Sequence, residues 1–163
     1  MPTFRKKILA REDLHQWRRS IDPSVHPVVL TCGCFDLLHP GHAINLEKMR
    51  NLGRSLFVGV NSDRSVALIK PGRPIMDQDA RAVMLASLES VTWVSIVEDP
   101  ADLIYQIKPD IFTKGSDWAF ETLPLSEQQA LKSTGAAYQL IPRAPGNTTD
   151  IIAKILKNQR HSC

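Results

Sequence analysis

Two histidines three positions apart stand out as side chains that could do chemistry together. His39 and His42 flank a Pro-Gly pair and follow a run of apolar and β-branched residues that begins at Val28. Pro40 suits the first position of a helix, because its missing N–H would be unpaired there in any case. Both imidazoles would then lie at a helix N-terminus, where free N–H groups and the helix dipole attract anions. The pattern predicts a phosphate-binding turn between a buried strand and a helix.

Segments of strand and helix length alternate along the rest of the chain and would position this turn. Short apolar runs predict strands at 28–31, 55–60, 91–97, 110–113 and 137–141. The first helix would stop at Gly53, and helical patterns recur at 77–89, 101–107, 126–132 and 150–157. This alternation predicts an α/β fold, a single doubly wound Rossmann-like domain with a five-stranded parallel sheet.

Length and composition fit one compact domain that follows a short extension. The chain has 163 residues, of which 43% are hydrophobic, and it can build one core. We predict an N-terminal helical extension at residues 1–25 and the domain at residues 26–163. The net charge of +3 and the short basic clusters argue against a nucleic-acid partner, and no apolar run has the length of a membrane span. Three cysteines and no signal-peptide pattern predict a cytoplasmic protein without a disulfide framework.

Polar residues follow several of the predicted strands, at the edge where parallel sheets bind ligands. Lys70 and Arg73 lie in a loop with Pro and Gly, where they could close over phosphate groups or form a solvated basic loop. Asn147, Thr148 and Thr149 would cap the last helix, with or without a phosphate on its N–H groups. Arg143 would contact a phosphate or lie at the surface. We expect these residues to converge on one site.

Four further side chains allow both a binding and a structural interpretation. Asp36 and Asp117 could hold ribose hydroxyl groups, order a loop or bind Mg²⁺ through water. Arg81 would face the site from its helix or form a structural ion pair. Trp118 would lie against a ligand or pack against the protein. A zinc site is a weaker alternative, because only five histidines are present and no CxxC pair occurs.

The histidine motif and later segments resemble a known family. The GxFDxxHxGH signature of the cytidylyltransferase-like nucleotidyltransferases is matched at Gly33, Phe35, Asp36, His39, Gly41 and His42. Further segments that resemble the family, in the family's order, cover nearly all of residues 26–157. Within the superfamily the chain is most similar to the adenylyltransferases that activate heptose 1-phosphate as an ADP-sugar. It departs from them at Cys32, Ser116, Trp118 and Asn147.

The resemblance implies a reaction and a role for each matched residue. The family joins the phosphate of an acceptor to the α-phosphate of a nucleoside triphosphate and releases pyrophosphate, and Mg²⁺ is the cofactor of such triphosphate chemistry. The catalytic residues would be His39, His42 and Lys70. Substrate would be bound by Lys70, Arg73, Arg81, Trp118 and Arg143. Nucleotide would be bound by Gly33, Cys34, Phe35, Asp36, Gly41, Asn61, Lys114, Gly115, Asp117, Asn147, Thr148 and Thr149. No cluster of carboxylates marks a metal cage built by the protein.

Three functions remain open from the sequence. The first is an adenylyltransferase that uses ATP and a sugar phosphate, with heptose 1-phosphate giving ADP-heptose. The second keeps the reaction but uses CTP with glycerol 3-phosphate or another polyol phosphate. The third is a non-catalytic nucleotide-binding protein with the same fold. The likeness to the family also predicts a homodimer.

Overall fold

The computed structural model describes residues 3–159 and contains a five-stranded sheet in the order β3-β2-β1-β4-β5. All neighbouring strands are parallel, so the predicted sheet is confirmed. The strands are β1 (Val28–Gly33), β2 (Ser55–Asn61), β3 (Trp93–Val97), β4 (Ile111–Gly115) and β5 (Ala137–Ile141). The described residues exclude 1–2 and 160–163. Cys163, the start of the predicted extension and the end of the predicted domain therefore lie outside them.

Helices cover both faces of this sheet, as the doubly wound prediction requires. They are α1 (Leu14–Ser20), α2 (Pro40–Arg50), α3 (Asp63–Ile69), α4 (Gln78–Ala86), α5 (Pro100–Ile107), α6 (Leu125–Thr134) and α7 (Thr148–Gln159). Short 3₁₀ segments lie at Thr3–Lys7, Arg11–Asp13, Pro23–Val25 and Phe120–Thr122. Among residues 3–159, every helix is too short or too polar to cross a lipid bilayer.

Two apolar clusters fill the space between the sheet and the helices. Residues of α1, α5 and α6 pack on one face of the sheet, against Phe57 and Phe112, whereas residues of α2 and α4 pack on the other, against Val58 and Val60. Successive side chains of a strand point to opposite faces, so a strand covered on both faces is apolar throughout. The first six residues of β2 are buried for this reason.

The N-terminal segment adds side chains to this core. Leu14 is buried, and the Trp17 ring meets the rings of Phe57 and Trp93 edge to face, with centroids 5.2 Å and 4.9 Å apart. The Lys7 ammonium donates hydrogen bonds to the carbonyls of residues 88 and 91, and its burial lowers the pKa of Lys7. The predicted division of the chain at residue 25 stays a prediction, but the extension is packed onto the domain.

The role predicted for Gly53 is wrong. Helix α2 ends at Arg50, with Asn51 as its C-cap. A Cβ atom at Gly53 would lie 2.4 Å from the Pro27 carbonyl oxygen and 2.7 Å from a methyl carbon of Val29. Position 53 therefore needs glycine because two backbone segments approach closely there, and not because the helix stops at it.

Gly59 provides a test of core packing. It pairs with Cys32 across β1 and β2, and a Cβ atom there would lie 2.6 Å from the Cys32 sulfur and 2.7 Å from a Leu103 methyl carbon. We expect Gly59→Ala to lower the free energy of unfolding by about 1–3 kcal/mol through overpacking, measured by urea denaturation. Gly135→Asn is the control, because open space surrounds Gly135 and asparagine tolerates its φ of +73°. Equal losses in both variants would contradict the packing explanation.

Candidate active site

A cavity of about 470 Å³ opens at the carboxyl ends of the central strands. It is the place where a sheet of this kind binds its ligands. Most of the residues predicted for the site line it, namely Gly33, Cys34, Phe35, Asp36, His42, Asn61, Lys70, Arg73, Lys114, Gly115, Asp117, Trp118, Arg143 and Thr148. The remaining predicted residues, which are His39, Gly41, Arg81, Asn147 and Thr149, are not among the lining residues. The structure thus brings the predicted segments together at one edge of the sheet.

The two histidines form a close pair at the start of α2. His39 is the N-cap of α2 and His42 is its third residue, and their ring centroids are 3.9 Å apart. The His39 backbone N–H donates to Nδ1 of His42 at 3.4 Å. In the neutral ring of His42 the proton is therefore on Nε2, which leaves that nitrogen as the donor. Within residues 3–159, Nδ1 of His39 is buried and has no hydrogen-bond partner.

The surroundings of the pair keep both rings neutral. Burial lowers the pKa of His42 to about 4, and a proton on His39 and the charges of Arg143 and Lys70 act in the same direction. Burial, together with the charge of Arg143, also lowers the pKa of His39. At pH 7 both imidazoles are thus neutral N–H donors in a region where the neighbouring cations favour an anion.

Glycines allow the chain to approach these rings. A Cβ atom at Gly41 would lie 2.5 Å from the Pro145 carbonyl oxygen. Gly146 has φ of +106°, a value that favours glycine, and a Cβ atom there would lie 3.3 Å from Nδ1 of His39. Gly41 therefore acts by letting the 144–147 loop reach the histidines, which is a structural contribution to the site.

Asp36 is a buried carboxylate that holds the loop between α3 and α4. Its side chain is 1% exposed and accepts hydrogen bonds from the N–H groups of Ile75 at 2.9 Å and Met76 at 3.0 Å. Nε of Arg73 donates to it at 2.5 Å. Burial alone would raise the pKa of Asp36, but these donors and the Arg73 charge hold that pKa below its ordinary value. The expectation that Asp36 orders a loop matches this geometry.

The same contact changes the interpretation of Arg73. We predicted Arg73 as a cation free to close over phosphate groups or to remain in solvent. The structure excludes the solvated state, because its side chain is 14% exposed and Nε is held by Asp36, whereas phosphate binding by Arg73 stays a prediction. Its guanidinium still lines the cavity, next to the more exposed Lys70. Lys70 alone of this pair keeps the predicted character of a loop cation.

Arg81 supports the site from behind instead of facing it. The residue is completely buried, and its Nε donates to the Met76 carbonyl at 3.0 Å. Nη1 donates to the Cys34 carbonyl at 2.5 Å, and Nη2 to the Asp63 carboxylate at 2.7 Å. Direct substrate binding by Arg81 is therefore corrected to a structural role. It joins the end of β1, the start of α3 and the loop before α4.

The start of α7 shows which of the three predicted capping residues caps the helix. The side-chain oxygen of Asn147 accepts a hydrogen bond from the Asp150 N–H at 2.8 Å, so Asn147 is the capping residue. Thr148 and Thr149 are the first helical residues and do not cap the helix. The Thr148 hydroxyl donates to the Asp36 carbonyl at 2.7 Å. This bond connects α7 to the residue that holds the Arg73 loop.

The residues after β4 form the opposite wall of the cavity. Nζ of Lys114 is 2.9 Å from the carboxylate of Glu127 and 4.6 Å from the centroid of the Trp118 ring. Arg143 and Asp117 form an ion pair of 3.2 Å at the rim, where both side chains are about half exposed. A pair so exposed is held weakly and is open to exchange with a ligand. The Asp117 carboxylate lies close to Gly115, since a Cβ atom there would be 2.7 Å from Oδ1 of Asp117.

Sequence reasoning missed several polar residues that line this cavity, among them Asn45 and Glu127. Asn45 projects from α2, and its side-chain oxygen accepts a hydrogen bond from the Ala144 N–H at 2.9 Å. Glu127 lies on α6, in a segment whose composition is typical of a solvated helix, yet it is buried. Neither position carries a sequence signal that separates it from an ordinary helix surface. Cys32, by contrast, is a half-buried thiol in the cavity wall, and burial raises its pKa to about 12.

Fold and site together define a nucleotidyltransferase domain, with paired imidazoles on a helix N-terminus at the carboxyl edge of a parallel sheet. The chain belongs to the cytidylyltransferase-like family, whose model matches residues 30–161. It is 44% identical over 132 residues to the bifunctional protein HldE of Methylobacillus flagellatus, and 39% identical over 155 residues to that of Trichlorobacter lovleyi. These matches cover 78% and 93% of this chain, but the chain spans only 27% and 31% of the two relatives.

Solved structures agree with this assignment. A lipopolysaccharide core biosynthesis protein from Thermoplasma volcanium is 28% identical, with a TM-score of 0.59, and the match covers 74% of this chain and 98% of that one. A pantoate-β-alanine ligase from Francisella tularensis also has a TM-score of 0.59 at 13% identity, over 85% of this chain and 67% of that one. The second likeness concerns the fold alone.

The pKa of His42 gives a first test of the site. We expect the ring of His42 in the ligand-free protein to titrate near pH 4 in an NMR pH series, because burial and nearby cations disfavour its charged form. Addition of inorganic triphosphate should raise that midpoint, since an anion stabilises the imidazolium. His42→Asn assigns the resonance. A midpoint at or above the ordinary histidine value of about 6.5 in the free protein would contradict the described surroundings.

The Asp36 contacts give a second test. Asp36→Asn leaves the buried Arg73 guanidinium without its countercharge, so we expect a loss of about 3–5 kcal/mol in the free energy of unfolding at pH 7. Because the folded pKa of Asp36 is lowered, its contribution is present above the unfolded pKa and is lost as pH falls through the folded pKa. Denaturant titrations at several pH values should show this difference shrinking in acid. Asp117→Asn is the matched control and should cost less than about 1 kcal/mol. Similar losses for both variants would refute the proposed role of Asp36.

Proposed function

We propose that the chain transfers the adenylyl group of ATP to a sugar phosphate, with heptose 1-phosphate as the acceptor and ADP-heptose as the product. The observation that carries the proposal is the pair of neutral imidazoles at the N-terminus of α2, beside a cavity whose lining includes the exposed cations Lys70 and Arg143. The likeness to relatives named HldE, and to a lipopolysaccharide core biosynthesis protein, supports a sugar of that pathway as the acceptor.

The reaction needs no protein nucleophile and no general base. An oxygen of the acceptor phosphate, already an anion at pH 7, bonds to the α-phosphorus of ATP. The bond between that phosphorus and the oxygen bridging to the β-phosphate breaks, and pyrophosphate leaves with the electron pair. Catalysis then consists of alignment and of stabilising the charge that builds on the phosphate oxygens.

The described side chains are suited to that task. Nε2–H of His42 would donate to a phosphate oxygen, and His39 would donate from the adjacent ring. Lys70 and Arg143 would neutralise the triphosphate and the acceptor phosphate, since both line the cavity and are exposed enough to reorient. The first turn of α7 would present its free N–H groups to the same charge.

We infer that Mg²⁺ enters with the nucleotide and is not held by the protein in advance. Within residues 3–159, no three His, Cys, Asp or Glu side chains gather as a group that could hold an ion. The carboxylate of Asp36 is occupied by three donors. The residues present therefore do not fit a resident metal site, and we treat Mg²⁺ as part of the Mg·ATP substrate without assigning it a step.

Pyrophosphate release across a substrate grid tests this proposal. The grid sets ATP, CTP, GTP and UTP against heptose 1-phosphate, hexose 1-phosphates and glycerol 3-phosphate, with Mg²⁺ present. We expect turnover with ATP and heptose 1-phosphate. Turnover with CTP and glycerol 3-phosphate would instead make the chain a cytidylyltransferase. Nucleotide binding without any pyrophosphate release would favour the non-catalytic alternative.

The histidine pair predicts the effect of a single substitution on that assay. We expect His42→Ala to lower kcat by about 10²–10³, because one donor to the developing charge is lost. His15→Ala is the matched control, since His15 is exposed on α1, and it should leave kcat unchanged. A His42→Ala protein with wild-type kcat would exclude a catalytic role for this ring.

A further inference from the structure

The cavity has a second region, on the face of the sheet opposite the histidine helix. Asn61 is the last residue of β2, and Lys114 lies in β4. Alternate residues of a strand point to the same face of the sheet, so these two residues share the face on which Phe57 and Phe112 pack against α5 and α6. Glu127 of α6 and Trp118 also line the cavity on this side. We call Asn61, Lys114 and Glu127 the Glu127 subsite. It differs from the histidine region because its buried carboxylate faces one ammonium, whereas that of Asp36 accepts from two backbone N–H groups and a guanidinium.

Glu127 and Lys114 form a buried pair with unused hydrogen-bonding capacity. Glu127 is 3% exposed, and within residues 3–159 its one ion-pair partner is the Lys114 ammonium, at 2.9 Å. The ammonium lies against Oε2 of Glu127, but the two groups are not aligned as a hydrogen bond. The Lys114 side chain is 11% exposed and otherwise faces only the rings of Trp118 and Phe112. An ammonium carries three donors and a carboxylate about four acceptor sites, so most of this capacity is free.

Asn61 provides a second, independent observation. Its side-chain oxygen is buried and has no hydrogen-bond partner among the described residues, although the residue lines the cavity. Buried polar atoms are nearly always paired, and an exception in a cavity wall indicates a partner that arrives with the ligand. Asn61, two strands away from Lys114 in the sheet, therefore adds an unpaired acceptor to the same cavity that the Lys114–Glu127 pair lines.

We propose that the Glu127 subsite binds hydroxyl groups of a sugar and that Glu127 is a specificity-determining residue. A hydroxyl group both donates and accepts, so one hydroxyl can donate to the carboxylate while a neighbour accepts from the ammonium. A phosphate group fits this place poorly, because the carboxylate would repel it. Two sugars are available, the ribose of the nucleotide and the acceptor sugar, and both share this chemistry. The inference rests on the proposed function for the identity of those ligands.

Deoxy analogues test the subsite on the unmodified protein. Calorimetry would compare ATP with 2′-deoxyATP and 3′-deoxyATP. In the presence of saturating α,β-methylene-ATP, it would also compare heptose 1-phosphate and mannose 1-phosphate with their monodeoxy analogues. We expect at least one analogue to bind about 10- to 100-fold more weakly than its parent, the range for a lost hydrogen bond to a charged group. The series that shows the penalty identifies the sugar. If every analogue binds within about twofold of its parent, the proposal is overturned.

A variant then assigns the penalty to Glu127. In Glu127→Gln we expect the penalty for the same deoxy analogue to shrink to about threefold or less, because the charged acceptor is gone. Glu121→Gln, an exposed neighbour, is the matched control and should keep the full penalty. An unchanged penalty in Glu127→Gln overturns the assignment.

The deoxy-analogue series tests the subsite even if Glu127→Gln does not fold or the protein shows no turnover. Thermal unfolding of Glu127→Gln checks that the variant folds, and if it does not, the wild-type analogue series still decides the proposal. Binding needs no turnover. Absence of pyrophosphate release with heptose 1-phosphate would therefore count against the proposed function, whereas absence of any deoxy penalty would count against the subsite.

Discussion

The buried carboxylate of Asp36 is the constraint on which the rest of the site depends. Removing a charge from water is costly, and the cost is offset here by two backbone N–H groups and one guanidinium that all converge on it. Its backbone carbonyl accepts a hydrogen bond from Thr148 at the start of α7. One residue thereby joins the end of β1, the loop before α4 and the last helix. The three segments that border the cavity are held in register by this residue.

The same arrangement partly encloses the two histidines. Because α7 and the 144–147 loop are held against the start of α2, the rings of His39 and His42 are partly enclosed, and this enclosure lowers their pKa values. A neutral ring with one nitrogen engaged has one defined donor, and a preorganised donor needs no rearrangement when charge develops. Arg81 plays a parallel part by joining Cys34, Asp63 and Met76. The fully buried cation Arg81 thus builds the site, and the exposed cations Lys70 and Arg143 are left for ligands.

Much of the fold could be predicted from the sequence, because parallel strands buried on both faces are apolar throughout and are separated by clear helical patterns. The histidine motif was equally accessible, since its strand, turn and helix are contiguous. Contacts between segments that are distant in the sequence could not be predicted. Arg73 and Arg81 were assigned to ligands because no pattern shows that they meet Asp36 and Asp63. Glu127 was missed because its burial depends on Lys114 across the cavity.

The helix ends show the same limit on a smaller scale. Asn147, Thr148 and Thr149 are all plausible caps, and only the hydrogen bond to Asp150 identifies Asn147. A glycine such as Gly53 is typical of the position that follows a helix, but the close approach of Pro27 explains why glycine is needed there. In both cases the sequence indicates which residues could play the structural role, and only the contacts seen in the structure identify the role that each residue has.

A crystal structure of the chain with α,β-methylene-ATP tests the central claim most directly, that the paired neutral imidazoles bind the triphosphate while Asp36 keeps the surrounding segments in place. We predict phosphate oxygens within hydrogen-bond distance of Nε2 of His42 and of the His39 ring, with the bonds from Ile75 and Met76 to Asp36 retained. A triphosphate bound away from both rings, or bound only after the Asp36 contacts break, would contradict the account.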